Sequence, residues 1–277
     1  MPELPEVETV RRDLQREVVG CAVTAVEAPG RRTVRRVTKE QLGERLSGRT
    51  ITGTRRRGKY LMLPLDSGDL VVVHLRMSGQ LLIAEPDVPR PKHTHVVLTL
   101  EDRWELRFVD PRTFGEVFVA SADELDQLAP GLASLGWDPL LEPDDFEAFA
   151  GALRGRRGPL KALLTDQRLV AGLGNIYSDE VAHAARLRHD RTGDGLSVQE
   201  LRRLHRSIVR ILDAAIEARG SSLADRQYVD LYGQIGAYQR QHRVYAREGR
   251  PCRRCRTAIA RLKWRGRSTF FCPTCQV

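Results

Sequence analysis

No apolar run in this 277-residue sequence approaches the roughly 18 residues that span a bilayer. The opening stretch MPELPEVETV carries three glutamates, unlike the basic and then apolar leader of a secreted protein. A soluble, intracellular protein is expected. There is no internal repeat and no low-complexity tract, so repeat architectures and biased tails are set aside. Cysteine is scarce as well: there are five, and four of them fall after residue 251. Disulfides are one reading of those four, which the missing leader disfavours. The length suffices for two domains, or one domain with appendages, and for a substantial core.

Acidic residues are outnumbered, 36 against 45 Lys and Arg, for a formal charge of +9. The excess is local. From Arg247 onward there are nine basic residues and one acid, Glu248, a net +8. A polyanionic partner fits, although a basic composition also serves proteins that merely avoid self-association.

Val7, Val10, Leu14 and Val18 recur at helical spacing behind Pro5, Glu6 and Glu8, a proline and acids suited to a helix start. Pro2 and Glu3 precede that helix, and helix propensity does not account for them. The next section reads as short strands over 60–65, 70–75, 95–100 and 104–109, with turn residues at 66–69 and 101–103. Trp104, Leu106 and Phe108 alternate with polar residues, the pattern of a half-buried strand. A Pro- and Gly-containing linker is expected at 130–143. Helical patterns follow around Phe146–Leu153, Leu160–Leu164 and residues 175–185. The last helix opens on the SVQE capping box at 197–200, carries Leu201, Leu204, Ile208, Ile211 and Ala215 on one face, and stops at Gly220.

Cys252-x-x-Cys255 and Cys272-x-x-Cys275, separated by sixteen residues, have the spacing of a four-thiolate zinc site spanned by a β-hairpin. Four thiolates leave no open coordination position, so one Zn2+ here is structural, holding a hairpin that carries Arg261, Lys263, Arg265 and Arg267. Cys21 is left over and reads as a small buried apolar residue. Asn175, in LGNIY at 173–177, stands where a helix starts, and the amides there suit either a simple cap or a phosphate. The run Arg55-Arg56-Arg57-Gly58-Lys59 reads as a solvated basic turn, with Lys59 a phosphate candidate. Met77 and Phe114 are core candidates by composition. Their places beside Gly79, and between Pro111 and Gly115, put them on loops instead, where an apolar side chain among basic residues suits a base-unstacking wedge.

Six blocks in order, PELPEVE, RRGKYL, HLRMSG, DPRTFG, GLGNIYSDE and the CxxC pairs, make the whole sequence resemble the bacterial formamidopyrimidine-DNA glycosylases of the wider endonuclease VIII-like family. The resemblance implies an α+β, multidomain fold: an N-terminal β-sandwich with flanking helices (1–129), the linker, a helix-two-turns-helix domain (144–243) and a zinc-finger hairpin (244–277). It implies removal of Met1, with Pro2 then the nucleophile and AP lyase, Glu3 the catalytic acid, and Glu6 a supporting carboxylate whose helix-capping role stays equally open. An α-amine titrates near 8 and a lysine near 10.4, so at neutral pH the terminal amine offers on the order of several hundred times more unprotonated nitrogen. Lys59, Asn175 and Arg267 match phosphate contacts, and His93 is assigned with them to DNA. Met77, Arg112 and Phe114 match the side chains inserted at the lesion, Arg112 facing the orphaned base, with cytosine preferred.

The segment 230–238, with Gly233 and Gly236, resembles a loop covering an extruded purine; an ordinary connection has the same glycines. Arg76 and Thr113 depart from relatives, which often have glycine and arginine there. The implied activity is a bifunctional base-excision-repair enzyme removing 8-oxoguanine and formamidopyrimidines, acting as a monomer on duplex DNA in the bacterial cytoplasm, at the nucleoid. Two alternatives stand beside it: a relative acting on oxidised pyrimidines, and a non-enzymatic zinc-hairpin protein that recognises DNA structure.

Overall fold

The computed structural model describes residues 1–30, 32–101, 104–224, 227–264 and 266–277. Asp102 and Arg103 of the expected turn, and Arg265 of the expected hairpin, lie outside the described residues. Two compact units are present, Met1–Ala133 with Ala218–Ala237, and Ser134–Glu217 with Tyr238–Val277.

The first unit begins with α1 (Leu4–Glu17), β1 (Val23–Glu27) and α2 (Lys39–Leu46). It continues through β2 (Arg55–Arg57), β3 (Tyr60–Pro64), β4 (Leu70–His74), β5 (Gln80–Ala84), β6 (Thr94–Leu100), β7 (Trp104–Val109) and β8 (Glu116–Ala120), and two short helices, α3 (Ala122–Leu128) and α4 (Pro130–Ala133). Antiparallel pairing gives two four-stranded sheets, β2-β3-β4-β8 and β1-β6-β7-β5. Alternate residues enter one core: Leu61 and Leu63, Val71 and Val73, and Val117 and Val119 meet Leu98, Leu106 and Phe108 of the other sheet. This follows from the two-residue period of a strand, and it makes the pair of sheets a sandwich. Val7, Val10 and Leu14 of α1 bury their stripe in the same core.

Tyr228 and Leu231 belong to that core too, and the Ile83 amide donates to the Leu231 carbonyl at 3.0 Å. The compact unit therefore reaches beyond the 1–129 expected from sequence.

Strand β7 departs from the expected half-buried pattern, because Glu105 and Arg107 are buried along with Leu106 and Phe108. Arg107 Nε meets Glu105 Oε2 at 2.7 Å, Arg107 Nη2 donates to the carbonyls of Glu85 and Val88 at 3.0 and 2.8 Å, and Arg90 reaches Glu105 at 2.7 Å. A charge buried without such partners would cost several kcal/mol, on the order of 3–5. Alternation in a sequence does not tell a charge facing water from a charge facing its partner.

The second unit contains α5 (Phe146–Leu153), α6 (Leu160–Thr165), α7 (Asn175–Ala184), α8 (Val198–Glu217) and the hairpin β9 (Ala260–Trp264) and β10 (Arg267–Phe271). The capping box of α8 forms as expected, Ser197 N–H to Glu200 at 2.8 Å and Glu200 N–H to Ser197 Oγ at 3.3 Å. Its five predicted apolar residues are all buried. In the expected linker, Trp137 and Asp138 are buried, and the Trp137 ring lies 5.0 Å from that of Phe149. Helix α7 packs against both α8 and β10. Among the described residues no helix is long and apolar enough to cross a membrane.

Candidate active site and nucleic-acid interface

Helix α1 starts at Leu4, one residue earlier than Pro5 suggests, so Glu3 becomes its N-cap residue. Glu6 supplies the reciprocal bond: its Oε2 accepts the Glu3 amide at 2.8 Å. Its other oxygen, Oε1, accepts the Ser221 amide at 2.8 Å. One buried carboxylate thus fixes both the start of the chain and the returning 218–237 segment. Gly220 leaves room for it. With φ +79, it stands where an added Cβ would come within 2.9 Å of Glu6 Cγ. Pro2 is buried while Met1 is exposed, and the Pro2 nitrogen is an amide until Met1 is removed.

The basic run at 55–59 is not the solvated turn expected. Arg56 and Lys59 are buried, because Gly58 (φ +54) and Lys59 form the tight connection of the β2–β3 hairpin. Arg56 meets Glu8 at 3.3 Å and donates to the Gly58 carbonyl at 2.9 Å. Across β3 and β4, Tyr60 stacks edge-on against His74 at 4.5 Å, and the Arg76 amide donates to His74 Nδ1 at 3.0 Å. Burial holds the His74 imidazole well below the usual histidine range, and the Arg76 and Lys59 charges add to this. His74 therefore acts as a neutral acceptor, a residue not marked as functional from sequence.

Met77 and Phe114 sit on loops, 38% and 45% exposed, with the Arg112 guanidinium 4.9 Å from the Phe114 ring centre. Leaving a phenylalanine half out of the core forgoes about 1 kcal/mol of burial, a cost that a partner's surface would recover. Both loops rest on Asp110. Its Oδ1 accepts the Ser78 hydroxyl at 2.5 Å and the Arg112 amide at 3.1 Å, and its Oδ2 accepts the Gly115 amide at 2.7 Å. The Asp110 amide donates to the His93 carbonyl at 3.0 Å, tying the His93 turn to the same residue. Added Cβ atoms on Gly79 and Gly115 would lie 2.9 and 2.6 Å from Phe108 Cζ, so both loops close over one ring. Arg76, His93 and Thr113 all have left-handed backbone, φ +53, +71 and +54. Such strain in non-glycine residues gathers where geometry serves binding. Arg76 is held there by Glu116, 2.6 Å away, which also meets Arg36 at 3.2 Å.

In the second unit Gly174, not Asn175, caps α7, and Asn175 is the first helical residue. The Asn175 side-chain oxygen is buried and has no hydrogen-bond partner among the described residues. Beneath it lies a pair that sequence reading missed. Lys161 Nζ meets Asp179 Oδ1 at 2.5 Å and approaches the Asn175 carbonyl at 3.4 Å, while Asp179 Oδ2 accepts the Phe270 amide at 2.9 Å. Burial pushes the Asp179 carboxyl up to about 7, against the pull of the Lys161 ammonium and the Phe270 amide. Strand β10 and the start of α7 are thereby joined, and Arg267, exposed at the head of β10, lines a cavity of about 290 Å³ with Lys161 and Trp264.

Glu180, the next residue, accepts the amides of Arg243, Val244 and Tyr245 at 2.9–3.0 Å. The sulfurs of Cys252, Cys255, Cys272 and Cys275 all lie within 4.8 Å of one another, with Cys255–Cys272 at 3.4 Å and Cys252–Cys275 at 3.9 Å. Tetrahedral zinc with bonds of about 2.3 Å sets its sulfurs about 3.8 Å apart. The cluster suits one structural Zn2+.

The sequence profiles of the formamidopyrimidine-DNA glycosylase N-terminal domain, the formamidopyrimidine-DNA glycosylase H2TH domain and the zinc finger found in FPG and IleRS match residues 1–117, 135–227 and 249–277. This chain belongs to the formamidopyrimidine-DNA glycosylase family. It is 43% identical to the formamidopyrimidine-DNA glycosylase of Pelotomaculum thermopropionicum, over 100% of this chain and 99% of the relative. With that of Heliobacterium modesticaldum it shares 44%, over 100% of both. A structure of Lactococcus lactis Fpg with abasic-site DNA matches at a TM-score of 0.90 and 38% identity, covering 99% of each chain. Fpg (MutM) of Thermus thermophilus matches at 0.89 and 40%, covering 99% of this chain and 98% of that one.

Of the residues expected to act, the first unit of this family member carries Pro2, Glu3, Glu6, Lys59, Met77, His93, Arg112 and Phe114. The second carries Asn175, Arg267 and the four cysteines. Asp110, His74, Lys161 and Asp179 are additions from the structure. Asp110 and Asp179 lie inside the quoted blocks DPRTFG and GLGNIYSDE, which was the one signal available for them.

Proposed function

We propose that the chain is a bifunctional DNA glycosylase and AP lyase of base excision repair, removing 8-oxoguanine and formamidopyrimidines from duplex DNA. The observation that carries this is the buried Pro2-Glu3-Glu6 cluster at the start of a chain that matches formamidopyrimidine-DNA glycosylases along its whole length. With Met1 removed, the Pro2 nitrogen becomes a secondary amine. Its lone pair attacks the sugar C1′ of a nucleotide turned out of the helix; the damaged base departs with the electrons of its bond to C1′ and takes up the proton released from the Pro2 nitrogen, and the bond from C1′ to the ring oxygen opens as Glu3 protonates that oxygen. The open sugar is left joined to Pro2 as an iminium. Loss of a C2′ proton expels the 3′ phosphate; a second elimination expels the 5′ phosphate; and water then releases Pro2.

Lys59, His93, Asn175 and Arg267 hold backbone phosphates in this reading. Met77, Arg112 and Phe114 fill the emptied position, offsetting an unstacking cost of a few kcal/mol, and Arg112 faces the orphaned base, preferably cytosine. The turn centred on Asp230, whose carboxylate accepts the Tyr232 and Gln234 amides at 3.0 and 2.9 Å, lies in the segment that covers the extruded purine. A zinc ion with four thiolates offers the reaction no open position and keeps the hairpin folded. The enzyme acts as a monomer in the bacterial cytoplasm, at the nucleoid.

The test is borohydride reduction of the enzyme with duplexes holding 8-oxoguanine, a formamidopyrimidine, an abasic site or an oxidised pyrimidine, followed by mass spectrometry. A sugar adduct on Pro2 with the purine lesions is expected. Pro2→Gly, or an uncleaved N-terminal tag, abolishes the adduct and strand cutting while leaving duplex binding. The oxidised pyrimidine arm matters because a matching structure shows wild-type Lactococcus lactis Fpg with DNA containing one. Faster turnover of that lesion than of 8-oxoguanine would overturn the purine assignment, and an adduct found only on a lysine would overturn the mechanism.

A further inference from the structure

A second basic feature of the chain lies outside the residues assigned to lesion recognition. Within the second unit, Arg210 of α8, Gln241 and Arg243 of the segment after α8, and Arg253 and Arg254 of the first cysteine pair line a cavity of about 570 Å³, with Tyr238 in its wall. That volume is in the range of small-ligand sites, roughly 300–1,000 Å³. No carboxylate is among the lining residues.

Some arginines elsewhere in the chain are neutralised: Arg45, Arg90 and Arg219 each meet two carboxylates. Among the described residues, Arg210, Arg243, Arg253 and Arg254 have no carboxylate within ion-pair distance. The side-chain hydrogen bonds of Arg253 and Arg254 go to backbone carbonyls, those of Arg240 at 2.9 Å and His183 at 3.4 Å. These bonds orient the two guanidinium groups without cancelling their charge.

Four like charges around one hollow repel, and an anion placed there relieves that repulsion. A planar guanidinium fork matches phosphate oxygens two at a time, so several of them converging favour an anion with more than one phosphate over a single carboxylate. We propose that this cavity is a second phosphate site, taking adjacent phosphate groups either from a nucleic-acid backbone or from a free polyphosphate. It requires neither Pro2 nor the wedge loops.

The test uses the zinc-loaded full chain and sodium tripolyphosphate in low-salt calorimetry. One tripolyphosphate per chain is expected, with affinity at least tenfold lower in Arg243→Gln/Arg254→Gln and unchanged in Arg156→Gln/Arg157→Gln. The second variant removes two exposed charges of the same unit away from the cavity. A cooperative melting transition in both chains shows that each is folded, and tripolyphosphate raises the melting temperature of the wild type and not that of the cavity variant. An undamaged duplex separates the two sources. If the cavity variant loses duplex affinity and its salt dependence drops by about two phosphate contacts, the phosphates are those of DNA. If duplex binding is unchanged, the ligand is a free polyphosphate. Absence of binding by the wild type, or equal loss in both variants, overturns the proposal.

Discussion

Replacing Asp110 by asparagine keeps the shape of the side chain and removes its ability to accept on both sides. The aspartate accepts three hydrogen bonds, from Ser78, Arg112 and Gly115. In Asp110→Asn the oxygen can serve Gly115, and the Ser78 hydroxyl can rotate to accept from the amide. The Arg112 N–H is then left facing another donor. Charge-assisted bonds are worth about 1.5–3 kcal/mol each and neutral ones about 0.5–1.5, so two bonds weaken by about 1 kcal/mol each and the third is lost, about 4 kcal/mol together. For a unit of this size that is a fall of about 8–16 °C in melting temperature.

The loss should be local as well as global. Hydrogen exchange at the Arg112 and Gly115 amides accelerates, while the amides around Glu6 keep their protection. Excision of an intact lesion falls about tenfold for each 1.4 kcal/mol of wedge placement lost. Cutting at a ready-made abasic site falls less, because Asp110 does not touch Pro2, Glu3 or Glu6. Unchanged protection at both amides, with a melting temperature within about 1 °C of wild type, would refute the assignment of Asp110 as the brace of the two loops.

Three more outcomes are expected. Arg76→Gly relieves left-handed strain of about 1–2 kcal/mol but takes one of two arginine partners from the buried Glu116 carboxylate, a charge-assisted contact worth about 1.5–3 kcal/mol, so urea denaturation should show stability equal to or up to about 2 kcal/mol below wild type; a gain above about 1 kcal/mol contradicts this. Asp179 carries a carboxyl pushed up to about 7, so the folded chain keeps a proton there that the unfolded chain releases near 4. Stability of the wild type relative to Asp179→Asn should therefore fall as pH rises from about 4 to about 7, and parallel melting curves across that window would refute the shift. Chelation, or Cys255→Ser, should release the single zinc and weaken duplex binding; a Cys255→Ser chain that retains one zinc and full affinity means the cysteines have another role.

What the sequence made legible was local. The cysteine spacing, the SVQE cap of α8, and the strands around 60–65 and 95–109 depend on neighbours a few residues apart, and each appears in the structure. Missing were the buried polar contacts whose partners are far along the chain: Arg56 with Glu8, Lys161 with Asp179, Asp179 with the Phe270 amide, Glu6 with Ser221. Arg56 and Arg107 look like surface charges in any composition count, and only folding brings up the groups that let them be buried. The wedge residues were readable for the opposite reason. Gly79 beside Met77, and Pro111 and Gly115 around Phe114, placed both residues on loops, and an apolar side chain on a loop is conspicuous.

The return of residues 218–237 to the first unit has a practical meaning for anyone wishing to dissect this chain. A fragment ending at residue 133 would leave the seats of Tyr228 and Leu231 open to water and take from Glu6 the amide of Ser221. Limited proteolysis should accordingly yield no stable N-terminal piece, and swapping zinc hairpins or helical portions between relatives will succeed only if this inserted strip travels with the sandwich it completes.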